Sequence, residues 1–253
     1  MVKALIVMRS VALFFSCCSF VFSQSDPDPQ RYFHSKTGKE LFIEQFIEWD
    51  NKNTFAKNGL LFIGSSSIRL WPTNKYFSGN IINRCCGGSH LSDIIFYFDE
   101  IISKYQPGVI FIYSGDNDIA DKKSPMMLLD DFKIFADLVN KKIDECLIVF
   151  IPIKPSPSRW GFWGKMKKAN SFIRDYAKNN EKVFYIDTAT PMIGKNGKPR
   201  SDLFVKGSLN LNSNSYDLWS SKVNSFLESL TRSIFLEMNY SIYLLPLICV
   251  VPH

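Results

Sequence analysis

Five short apolar runs punctuate the chain, at residues 60–63, 81–82, 109–113, 147–151 and 183–186. Each is bounded by polar or glycine-containing stretches, the pattern of strands buried on both faces. Between them, apolar residues recur at helical spacing over 91–104, 125–142 and 162–178, and again over 216–230. Ahead of the first run, Phe42, Phe46 and Trp49 predict an amphipathic helix over 41–49 that packs on the flank of the domain. Continuously apolar strands alternating with helices predict an α/β fold: a mainly parallel sheet of about five strands in a three-layer α/β/α sandwich. Ligands in such folds sit at the carboxyl ends of the strands, which directs attention to the loops after residues 63, 84, 113 and 152. There is no internal repeat and no low-complexity tract.

The ends of the chain break this pattern. Lys3 and Arg9 precede an apolar stretch at 11–22, with Ser23 and Gln24 following, so residues 1–23 read as a signal peptide and the protein as secreted or extracytoplasmic. Two alternatives are a lipoprotein-type anchor on Cys17 or Cys18 and a buried N-terminal helix. Residues 24–40, polar and carrying Pro27 and Pro29, read as a linker to a domain spanning 41–230. The tail 231–253 is strongly apolar over 242–251 apart from Pro246. A helix of about 12 residues reaches roughly 18 Å against a hydrocarbon core of roughly 30 Å, too short to span it, so this tail reads as packed on the domain, as an accident of gene structure, or as a membrane-surface contact.

With 253 residues, 46% hydrophobic and 21% charged, the composition is globular and accommodates one ordinary domain. The net charge of +6 comes from lysines scattered among Asn, Asp and Glu, with no basic run to track phosphates, which argues against a nucleic-acid partner. Export would allow Cys85, Cys86, Cys146 and Cys249 to pair. No spacing among them resembles a zinc site, and neither a metal nor a cofactor is expected. Cys146, within an apolar run, reads as a small buried hydrophobe.

Three strand-end loops carry candidate chemistry. Gly64-Ser65-Ser66-Ser67-Ile68-Arg69 can expose a serine on a tight turn, although serine-rich loops are also ordinary turns or helix caps. Gly87-Gly88-Ser89 permits a sharp turn with backbone N–H groups aimed at a ligand, or is simply a glycine turn. Ser114-Gly115-Asp116-Asn117-Asp118 brings an amide side chain to the same sheet edge, where Asn also serves plain turn chemistry.

In order and position, these loops resemble the first three sequence blocks of the SGNH (GDSL-type) hydrolase family, in the branch written GSSSIRxW, NRGFGGS and Tyr-x-Gly-x-Asn-Asp. The likeness continues through Lys154-Pro155-Ser156-Pro157, the 170–176 segment, Tyr185-Ile186-Asp187 and Thr190-Pro191-Met192, covering residues 40 to 230. It implies a flavodoxin-like sandwich and hydrolysis of carboxylic esters, such as acetyl groups on glycans or acyl groups on lipids. Carried over position by position, Ser66 matches the nucleophile, and Gly88 and Asn117 match the oxyanion donors. The family's remaining block supplies an Asp and a His base. Here Gly207 stands at the Asp position and Asn210 at the His position, and no His occurs from 91 to 252. Loss of triad members costs about 10⁴ to 10⁶ in rate. The resemblance therefore implies either an ester hydrolase of reduced activity or a pseudoenzyme that binds acylated glycan or lipid. His90 is the one nearby candidate for a displaced base. Cys85 and Cys86 replace the family's Gly-Phe and read as packing residues, since a thiol with no cationic neighbour or His gains little activation. Arg69, Trp71 and Trp160 are candidate substrate contacts, with Arg159 and Trp163 beside them lining a cleft, although aromatics in this number are more often partly core.

Overall fold

The computed structural model describes residues 26–33 and 42–238. The expected signal peptide, the rest of the linker, Cys249 and the tail from 239 onward lie outside the described residues. The sheet has five parallel strands: β1 (Leu60–Gly64), β2 (Ile81–Cys85), β3 (Val109–Tyr113), β4 (Leu147–Phe150) and β5 (Val183–Tyr185), in the order β2-β1-β3-β4-β5. All five follow the apolar runs of the sequence. Gly64 at the end of β1 is in register with Cys85 on one side and Tyr113 on the other. The three glycine-containing loops therefore leave the sheet at one level of one edge.

Alternation along the strands divides the core. Leu61, Ile63, Ile110 and Ile112 face one layer, where α1 (Ile43–Asp50), α3 (Leu91–Phe96), α4 (Phe98–Ile101), α5 (Asp116–Ala120), α6 (Pro125–Lys142) and α7 (Trp163–Ala177) pack. Phe62, Phe111 and Tyr113 face the other, covered by α2 (Ser66–Arg69), the segment after it, and α8 (Ser213–Met238). Each large apolar side chain buried this way contributes roughly 1.5–3 kcal/mol, which is how the layers are held on the sheet. Helix α6 starts where its signals say it should: the Ser124 hydroxyl accepts from Met127 N at 3.1 Å, and Pro125 occupies the first helical position.

The structure corrects four expectations. The helix read over 91–104 is broken at Tyr97 (φ −93°, ψ 24°) and again at Ile102 (φ −134°, ψ −66°). The final helix runs to Met238, past the expected boundary at 230. Residues 26–33, read as part of a linker, pack against the domain: Tyr32 is buried, Tyr97 Oη donates to Pro29 O at 3.0 Å, and Arg31 pairs with Asp93 at 2.6 Å. Trp71, a candidate substrate contact, is 2% exposed; its ring stacks on Tyr216 at 5.9 Å and its Nε1 donates to Ser220 Oγ at 3.2 Å. The chain re-enters the core after α2, so this indole anchors α8 and cannot line a cleft.

Among the described residues no helix is long and apolar enough to cross a membrane. Cys85, Cys86 and Cys146 are buried, and Cys85 and Cys146 are free thiols; burial pushes the Cys146 thiol up to about 12 and the Cys85 thiol well above its usual range. Thiols held protonated in this way are packing groups rather than nucleophiles.

Candidate functional site

At the end of β1, Gly64 adopts φ +140°, and a Cβ there would collide with the Tyr113 carbonyl oxygen. Only glycine lets β1 close this tightly on β3 before the chain turns into α2. Ser65 N donates to Tyr113 O at 3.2 Å, and Ser66 becomes the first residue of α2, half-buried at the sheet edge. Its N–H lies in the first helical turn, where no preceding helical carbonyl takes it up. The Ser66 hydroxyl donates to Asn210 Oδ1 at 3.5 Å, across 144 residues of sequence. Asn210 is held by a short loop that the Phe204–Leu211 bridge closes and a Val205 N to Asn210 O bond of 3.0 Å reinforces. Within that loop Gly207 (φ +99°) and Ser208 (φ +60°) both take left-handed backbone.

The second loop turns at Gly88, with φ +84°. Ser89 ties it to its neighbours: its hydroxyl donates to Gly64 O at 3.2 Å and its carbonyl accepts from Asn117 Nδ2 at 3.0 Å. Asn117 is held at its other end as well, because Arg159 Nη2 donates to Asn117 Oδ1 at 3.0 Å. The guanidinium can only donate, so it fixes which end of the amide faces which way. One Nδ2 hydrogen is committed to Ser89, and the amide nitrogen carries a second. Ser66, Gly88, Asn117 and Asn210 thus occupy adjoining loops linked by these bonds.

Beneath them lies a buried polar network that sequence reasoning did not assign. Asp116 Oδ2 is 3.0 Å from Lys154 Nζ and 3.2 Å from Arg159 Nη1, and its other oxygen is 3.5 Å from Ser65 Oγ. Lys154 also donates to Tyr113 Oη at 2.9 Å. Burial acts to raise the Asp116 carboxyl, but the Lys154 and Arg159 cations outweigh it and hold it below the usual range. For Lys154 burial wins over the same partner and lowers it. A fully buried carboxylate with two cations is rigid, since removing any member strands a charge. The sequence signal was available: Lys154 directly follows an apolar run, where a charged side chain needs a buried partner. Nothing local identifies that partner as Asp116.

Of the candidate contacts, Arg69 lies against the glycine turn, its Nε 3.1 Å from where a Gly87 side chain would begin. Trp160 is half-buried and stacks on Trp163 at 6.0 Å and 15°. His90, the candidate displaced base, is turned away. Its Nε2 is 2.8 Å from Asp121 Oδ2 and its Nδ1 is 3.9 Å from Asp26 Oδ1. It borders a separate open pocket of about 350 Å³ with Asp26, Asp121 and Lys123, which shares none of the Ser66 loop residues. No group of three or more His, Cys, Asp or Glu side chains among the described residues is arranged to hold a metal.

This geometry can polarise a carbonyl and present a hydroxyl to it. Among the described residues it supplies no proton acceptor at Ser66, because the amide oxygen of Asn210 accepts a hydrogen bond but takes no proton near neutral pH.

No family model matches the sequence, and no curated protein matches it either. Solved structures do share the fold. A GDSL-like lipase from Bacteroides thetaiotaomicron superposes with a TM-score of 0.64 at 18% identity, over 74% of this chain and 98% of that one. A Bacteroides fragilis protein provisionally assigned as an acylhydrolase gives 0.65 at 16% identity, over 76% and 99%. An acetyl-xylooligosaccharide esterase from Geobacillus gives 0.55 at 11% identity, over 67% and 93%. The chain therefore has the fold of GDSL-type esterases and lipases.

Proposed function

We propose that this chain is an extracytoplasmic ester-binding domain on the SGNH hydrolase plan, retaining the nucleophile and oxyanion positions but turning over very slowly. One observation carries the reading: the Ser66 hydroxyl faces Asn210 Oδ1 at 3.5 Å, so an amide stands where a base would have to stand. In this reading an ester carbonyl sits between Ser66 and the N–H donors of Gly88, Ser66 and Asn117. The leaving alcohol belongs to an acylated glycan or lipid. Attack by Ser66 would form the tetrahedral oxyanion, which these donors stabilise. Among the described residues the serine proton has no side-chain acceptor and must pass to solvent, and the deficit amounts to about 10⁴ to 10⁶ in rate, with roughly 10³ over water retained by the donors alone.

Calorimetric titration of the full chain with an acetylated xylo-oligosaccharide tests this, alongside an assay of released acetate. The expected result is saturable binding, lost in Ser66→Trp, with acetate release far below the 1–10³ s⁻¹ of ordinary enzymes. Absence of saturable binding, or turnover in that ordinary range, would overturn it.

A further inference from the structure

We propose that the Ser66 site selects esters carrying a negative charge close to the scissile bond, and that Arg159 is the residue that selects them. This rests on the reading that the site binds carboxylic esters. The charge distribution around the loops carries it. One oxygen of Asp116 is shared by two cations, Lys154 and Arg159, so the buried network holds more positive than negative groups. Lys154 is sealed, with its side chain 1% exposed, whereas the Arg159 side chain is 20% exposed and reaches Asn117. Arg69 sets a second guanidinium against the glycine turn, and exposed Lys206 adjoins Gly207 in the Asn210 loop.

The nearby acidic groups are occupied elsewhere. Asp118 is directed to Leu91 N and Lys123, Asp187 accepts from Thr190 N, Asp202 pairs with Arg200, and Asp217 accepts from Tyr76. Asn117 is thus bonded directly to one guanidinium and the glycine turn has a second against it, in surroundings where water screens them incompletely. A guanidinium already fixed by Asp116 and Asn117 is pre-organised to receive a carboxylate, phosphate or sulfate without further ordering. Trp160, next in sequence and stacked on Trp163, adds a flat apolar surface beside that charge. Holding Asn117 alone would require a hydrogen-bond donor at residue 159; it would create no preference for anions.

The test uses two aryl acetates of nearly equal shape, 4-acetoxybenzoate, which is anionic, and 4-acetoxybenzamide, which is neutral. Each is titrated calorimetrically into the full natural chain, Arg159→Lys and Arg159→Gln at low and at physiological salt. The natural chain is expected to bind the benzoate at least tenfold more tightly, about 1.4 kcal/mol, with the ratio shrinking as salt rises. Arg159→Lys retains most of the ratio, and Arg159→Gln brings it to within about threefold even if both affinities fall through the freed Asn117. Equal affinities in the natural chain would overturn the charge preference and leave ester binding standing, a comparison that needs no variant to fold. A ratio unchanged in Arg159→Gln would overturn the role of Arg159. Binding of neither probe would overturn both this inference and the ester-binding reading.

Discussion

Asn210 differs from a histidine in one property that matters here, since its amide oxygen can receive a hydrogen bond from Ser66 yet cannot keep the proton. The surrounding residues remain specialised. Gly88 is held at φ +84°, and a Cβ there would come within 3.3 Å of the Tyr32 hydroxyl. Gly88→Ala is expected to lose about 1–2 kcal/mol through the left-handed backbone and to weaken ester binding, because the turn must shift. Paired urea unfolding and calorimetry check this; an unchanged midpoint together with unchanged affinity would count against a fixed turn. That Ser66, Gly88, Asn117 and Asn210 fall in adjoining segments is legible in sequence, since each sits in a short block whose order along the chain carries meaning. Trp71 could not, because an indole just past a strand end has the same local sequence whether it faces a cleft or packs on Tyr216. Arg159 was noticed only as a cleft residue, as its hold on Asn117 spans 42 residues that no local pattern connects.

At the scale of elements, strands and long helices followed their apolar periods, and α6 agreed to the residue because its cap and its proline are local signals. The 91–104 segment failed because its breaks come from tertiary contacts, Tyr97 bonding to Pro29 of the N-terminal strap. The first turn of α3 also depends on a distant group: Leu91 N donates to Asp118 Oδ1 at 3.1 Å. Burial raises the Asp118 carboxyl to about 6, against the opposing pull of His90 and Lys123. Its unfolded value is about 3.9, so between roughly pH 4 and 6 the folded chain holds a proton that the unfolded chain has released. Stability from this group is therefore full below about pH 4 and is lost as pH rises through about 6. Asp118→Asn preserves an acceptor for Leu91 N and removes the titration. Relative to the natural chain its stability is expected to improve as pH rises from about 4 through about 6, read from urea unfolding across that range. Parallel stability curves for the two proteins would contradict the buried, protonated Asp118.

Over the whole molecule, the sheet order and register bring three loops to one edge, and the sequence conveyed this because strand-end glycines and their order survive in one dimension. Three things were beyond its reach: the docking of residues 26–33, the sharing of Asp116 between Lys154 and Arg159, and the turning of His90 toward Asp121. Each is a pairing between segments whose partners local sequence does not name. In the proposed reading the site lacks only a base, and the base position is open to repair. No described residue other than its chain neighbours lies within 4 Å of a Cβ built at Gly207, although its φ of +99° requires the loop to relax before an aspartate fits. The most direct measurement is p-nitrophenyl acetate hydrolysis by the full chain, by Asn210→His, and by Asn210→His with Gly207→Asp, each with and without Ser66→Ala. The natural chain should differ little from its Ser66→Ala form, and the double replacement should raise kcat/KM by about 10³ or more in a Ser66-dependent way. Ser66-dependent hydrolysis by the natural chain at the repaired level would contradict the missing base, and a folded double variant no faster than the natural chain would contradict the intact oxyanion site.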